Sequence, residues 1–202
     1  MEFNISVKQW AIPLVVCVLA LGFQLLAWDV PLRYAREGVQ NGEWWLFITG
    51  NLVHMGWGHV ILNLAGLLMV WWFFIGEFNN LEWLWIFSVS GLFVTFGLYF
   101  FNPDLIWYVG LSGLLHGLFM AGGFRLMKKE FTFAATLIIV IAGKLTYEQL
   151  VGSLPGTSDM SGGPVVVDAH LYGAIGGVVA FLLLEFIEMM AQKYFTIPAK
   201  TR

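Results

Sequence analysis

Residues 110–127 read GLSGLLHGLFMAGGFRLM. Ser112 heads this apolar run, His116 follows one helical turn later, and Gly113 and Gly117 stand four apart. Twelve residues run from Gly113 to Phe124 before Arg125. As a helix they rise only ~18 Å at about 1.5 Å per residue, short of a hydrocarbon slab of roughly 30 Å. Ser112 is then expected about 10 Å below the outer membrane surface. The stretch from Asn102-Pro103-Asp104 to Gly110 must re-enter the slab as irregular backbone, which is tolerated only where it is buried in protein or lines a wet cavity. A cavity opening outward is the expectation.

The rest of the chain fits a membrane setting. Hydrophobic residues make up 59% and charged residues 11% of 202, against roughly 45–50% and about 25% in soluble domains. The length suits a single domain spanning 1–202. A net charge of −3 carries no nucleic-acid footprint. Cys17 is the one cysteine, which excludes a disulfide or a thiolate cluster, and it reads as a small buried hydrophobe. The first apolar run follows Lys8 but is long for a signal peptide and has no small-x-small cleavage site at Trp28-Asp29, so it reads as retained.

Apolar runs predict six transmembrane helices near residues 10–28, 59–76, 83–101, 112–127, 131–151 and 169–190. The fold expected is an all-α membrane protein with a short fourth helix. With the N-terminus inside, the inner segments carry Lys8, Arg125, Lys128, Lys129, Lys193, Lys200 and Arg202, and the outer loops only Arg33 and Arg36. That asymmetry favours both termini in the cytoplasm. The loop from Asp29 to Gly58 is rich in tryptophan and mixed charge, as in Trp44, Trp45 and Trp57, which suits an interfacial segment.

This topology brings the polar groups to one face. Spans two, four and six all run inward, and their outer ends carry His59 with Asn63, Ser112 with His116, and His170, with His54 just before span two. A hydroxyl and an imidazole are the minimum parts of an acyl-transfer site, because the imidazole takes the proton as the oxygen attacks. Gly113-x3-Gly117 and Gly173-x3-Gly177 let spans four and six approach closely beside Ser112 and His170.

These residues resemble the rhomboid intramembrane serine proteases, especially the short bacterial GlpG-like members. The likeness spans essentially the whole chain and rests on Gly110-Leu111-Ser112-Gly113, His54-x4-His59-x3-Asn63, and Ala169-His170 with Gly173-x3-Gly177. It implies a Ser112–His170 dyad without a third acidic member. It also implies an oxyanion hole from the Ser112 N–H and the side chains of His59 and Asn63. No cofactor or metal is implied, and no particular oligomeric state. The expected partners are transmembrane protein substrates and membrane lipid. The expected location is a bacterial inner membrane, with the site open to the periplasm.

The chain departs from the family pattern in places. His116 stands where relatives carry a tyrosine that stacks on the catalytic histidine, which makes it a rival base, although His170 is favoured. Trp44-Trp45 replaces a Trp-Arg pair of loop one, so a loop-anchoring contact is lost or replaced. Asp168 invites a triad but reads as a cap on span six. Lys144 and Glu148 are read as an i,i+4 pair near the outer end of span five. Glu77, Glu185 and Glu188 are read as reaching the inner interface. The competing functions are a small transporter or metal-ion channel built on the four histidines, and a silent relative that binds membrane clients without cutting them.

Overall fold

The computed structural model describes residues 10–194. Lys8, Lys200 and Arg202 of the charge argument lie outside the described residues. Six longer helices form the body: α1 (Ala11–Leu25), α5 (Trp57–Phe74), α6 (Asn80–Phe101), α7 (Ser112–Leu126), α8 (Phe131–Val151) and α10 (Val167–Tyr194). Short helices α2 (Asp29–Leu32), α3 (Arg36–Gln40), α4 (Leu46–Thr49) and α9 (Thr157–Ser161) lie in the connections. Strands β1 (Tyr34–Ala35) and β2 (Trp107–Tyr108) pair antiparallel, with Tyr34 opposite Tyr108.

Each predicted span coincides with one long helix, but the ends move. Helix α6 starts three residues before its predicted boundary because Asn79 and Glu82 form a capping box: Asn79 accepts from the N–H groups of Leu81 and Glu82, and Glu82 accepts from that of Asn79. Helix α10 overruns its prediction at both ends. Of these helices, α5, α6, α8 and α10 are long and apolar enough to cross a membrane. Helices α1 and α7 have 15 residues each, so α7 is about 22 Å long.

The burial pattern is that of a chain solvated by lipid. In α8 only Ala134, Leu145 and Glu148 are buried, while Phe131, Ile139 and Val140 stand exposed. A carboxylate faces inward and aliphatic side chains face outward, the reverse of a helix in water.

Helix α7 is the centre of the bundle, touching α5, α6, α8 and α10. Its contact with α10 has no room for a methyl group: a Cβ on Gly173 would collide with the Gly113 carbonyl, and one on Gly177 with that of Gly117. The two glycine pairs thus hold the backbones together. Leu114, Leu118 and Ala121 of α7 pack with Leu67, Val70, Trp71 and Phe74 of α5 in the larger core cluster.

Loop one is pinned to α6 by polar contacts. Asn51 donates to the carbonyls of Phe47 and Gly91, and Thr95 donates to that of Phe47. Arg36 caps the far end of α6, donating to the carbonyls of Leu98, Tyr99, Asn102 and Leu105 at 2.9–3.2 Å. Arg36, eight residues before Trp44, thus anchors loop one to the end of α6. At the other end of α7, Arg125 pairs with Glu185 and Glu188, each at 2.6 Å, and Lys129 pairs with Glu77 at 2.9 Å. These acids are held in ion pairs that tie helix ends together.

Candidate active site

Ser112 is the first residue of α7. First-turn N–H groups have no intrahelical acceptor, and the helix dipole adds positive potential there. The turn before it is shaped by Gly110, whose φ of +125° suits glycine and whose missing side chain admits a ring: a Cβ would lie 2.8 Å from His59 Nε2. Tyr108 donates to the Gly110 carbonyl at 2.7 Å, and the Gly110 N–H donates to that of Gly50 at 3.0 Å, so the turn is tied on both sides.

His170 reaches Ser112 from α10, across the glycine contact. Its Nε2 lies 3.0 Å from Ser112 Oγ, and its Nδ1 lies 2.9 Å from Glu148 Oε2. A carboxylate only accepts, so a hydrogen bond to Glu148 requires the proton on Nδ1, the state in which Nε2 can accept from the serine. The resemblance implies a dyad without a third acidic member, and in this chain a carboxylate nevertheless stands beside the imidazole. Glu148 also takes a 2.7 Å ion pair from Lys144 and is 2% exposed. The sequence places Lys144 and Glu148 one turn apart but does not show that they turn toward His170, because a largely apolar helix does not announce which side faces inward.

Asp168 also departs from its expected role. Its Oδ2 accepts from the Asn102 side chain at 2.5 Å, and Tyr172 donates to Asn102 Oδ1 at 2.9 Å. The carboxylate binds the start of α10 to the end of α6, away from His170.

All four histidines gather at this end of the bundle. His116 stacks on His170 with ring centroids 4.3 Å apart, and His54 meets His59 edge to face at 5.0 Å. His54 lies outside the long helices, where burial first and the neighbouring His59 second lower its pKa from 6.5 to about 3. It is a neutral packing ring behind His59. His59 Nδ1 faces the Met55 N–H at a long 3.5 Å, which leaves the ring proton on Nε2, beside Gly110. Asn63 stands one turn further along α5, and its buried Nδ2 has no hydrogen-bond partner among the described residues. Two donors thus converge near the Ser112 turn.

These groups line a cavity of about 510 Å³, closed partly by Met55, Thr157, Ser161 and Val166. Ligand atoms of His116, Glu148 and His170 lie within 4.8 Å of one another. They make a poor cation site, because lone pairs lie in the ring planes and two stacked rings cannot aim them at one point. The Lys144 ammonium also occupies the cationic position against Glu148.

Residues 41–185 match the family model described as Rhomboid domain. The chain is also similar to a protein of Bacillus subtilis (strain 168) named "Putative rhomboid protease YdcA". The two are 27% identical over 162 residues, covering 80% of this chain and 78% of that protein. The stretch matched by the family model contains His59, Asn63, Ser112, Glu148 and His170.

Proposed function

Since the chain belongs to the rhomboid family, we propose that it is an intramembrane serine protease hydrolysing peptide bonds in or near transmembrane segments, with Ser112 as nucleophile and His170 as base. The observation that carries this reading is the 3.0 Å contact between His170 Nε2 and Ser112 Oγ, at a helix N-terminus and on the wall of a cavity.

In the first half of the reaction Ser112 Oγ attacks the scissile carbonyl carbon, and His170 Nε2 takes the hydroxyl proton. The carbonyl electrons move onto oxygen, where the Ser112 N–H, His59 Nε2–H and Asn63 Nδ2–H stabilise the charge. The imidazolium gives its proton to the leaving amine. Water then enters and attacks the acyl carbon as His170 takes its proton, and the C–Oγ bond breaks as His170 returns that proton to Ser112 Oγ. Because every carbonyl inside a substrate helix is already hydrogen-bonded and shielded, the substrate must unwind locally at the cut. Six membrane crossings, cytoplasmic termini and a site open to the periplasm of a bacterial inner membrane complete the reading. The loop from Asp29 to Gly58 lies in the interfacial layer.

Cleavage of a model transmembrane substrate by purified protein in detergent tests the assignment. Ser112→Ala should abolish cleavage, and a serine-reactive phosphonate should label the parent but not the variant. Activity of Ser112→Ala within tenfold of the parent would reject the serine mechanism. A chelator should leave turnover unchanged, whereas loss restored by a divalent ion would favour a histidine-bound metal.

A further inference from the structure

We propose that Glu148 is a positioning residue for the His170 imidazole, fixing its tautomer from a third helix so that the site works as a Ser112–His170–Glu148 triad. The inference rests on the serine-protease reading and deepens it.

Both polar contacts of the carboxylate use one oxygen. Glu148 Oε2 lies 2.9 Å from His170 Nδ1 and 2.7 Å from Lys144 Nζ. A buried carboxylate is costly unless its partners are well placed. Lys144 is four residues away on the same helix and would suffice as a counter-ion. The contact to His170 crosses from α8 to α10 and meets the one imidazole that also faces the nucleophile.

Lys144 makes the tautomer a real choice. Its Nζ is 3.4 Å from His170 Nδ1, and an ammonium can only donate. If Lys144 held Nδ1, the ring proton would sit on Nε2, and that nitrogen could not accept from Ser112. The carboxylate decides between the two states: it is closer to Nδ1, it accepts, and it draws the lysine to itself. His170 therefore enters the reaction with Nδ1 protonated and Nε2 free.

During attack, the Ser112 proton moves to Nε2 as the Oγ–C bond forms. The imidazolium keeps its Nδ1–H bond to Glu148, which stays ionised throughout. The Nε2 proton then passes to the leaving nitrogen as the C–N bond breaks. Glu148 transfers no proton; it holds the ring and stabilises the transient positive charge.

The test compares Glu148→Gln, Glu148→Asp and Ser112→Ala in detergent on one transmembrane substrate. Glu148→Gln should lower kcat at least ~10-fold with KM within about threefold, because the carboxylate acts on the transition state through His170. Glu148→Asp, which keeps the charge, should turn over faster than Glu148→Gln. In the parent, 15N-labelled histidine should show His170 protonated on Nδ1, its signals identified by their loss in His170→Ala; this reading does not depend on any Glu148 variant folding. The proposal is overturned by a parent His170 protonated on Nε2, by a Glu148→Gln kcat within threefold of the parent, by a loss carried by KM, or by an aspartate variant no better than glutamine. If Ser112→Ala itself cleaves, the protease reading falls, and that result is separate from those.

Discussion

The His116 ring lies nearly flat on that of His170, with planes 22° from parallel. Spacing alone leaves His116 a rival base, since it sits one turn from Ser112. The structure ties its Nδ1 to the Ser112 carbonyl at 2.7 Å, so its proton serves the helix backbone. The ring is a stacking partner of the imidazole that faces Ser112. His116→Tyr should therefore retain turnover within about tenfold, while His170→Ala should lose at least ~10³-fold. A dead tyrosine variant beside an active His170→Ala would reverse the assignment.

Asn63 brings a buried amide Nδ2, without a partner among the described residues, to the same end of α5 as His59. Such a donor is costly at rest and useful only when a charge appears before it. Asn63→Ala and His59→Ala should each lower kcat by about 10²-fold, with KM nearly constant. A change confined to KM would reassign that residue to substrate positioning.

Much of this was readable before any coordinates. Apolar run lengths located six helices, because hydrocarbon demands internal hydrogen bonding over a fixed thickness. The glycine pairs marked the α7–α10 contact, and the shared direction of spans two, four and six brought His59, Ser112 and His170 to one end. The rotation of α8 was not readable. Lys144 and Glu148 share one face of it, but that spacing does not say whether Glu148 meets Lys144 alone or also His170. Arg36 was hidden for a similar reason: its partners are backbone carbonyls more than sixty residues away, and carbonyls leave no trace in residue identity.

Arg36 makes a prediction about stability. Its guanidinium covers the last carbonyls of α6 and lies 4.9 Å from the Tyr99 ring centroid, joining loop one to the helix that leads into the Ser112 turn. The fork geometry suits several acceptors at once, and the helix dipole favours a cation there. Removing it leaves those carbonyls without their cap, at a cost on the order of 2 kcal/mol. Arg36→Ala should lower Tm in detergent by about 4–8 °C, and Arg36→Lys should recover less than half. A Tm unchanged in Arg36→Ala would show that the other ties of loop one, among them Asn51, Thr95 and the β1–β2 pairing, hold it without the guanidinium.

His54 gives a dependence on pH. Burial, and then the neighbouring His59, set its folded pKa at about 3 against 6.5 for the free group. Between these values the unfolded chain binds a proton that the folded chain refuses. Stability from this residue is therefore complete above 6.5 and falls as pH drops toward 3, by about 1.4 kcal/mol per unit. His54→Phe keeps a ring in the buried slot and removes the proton site. The drop in Tm between pH 7.5 and pH 5 should thus be smaller in His54→Phe than in the parent, whatever the absolute Tm of the variant. Equal drops would mean that His54 takes up its proton in the folded state, which would require water or an acceptor to reach the ring.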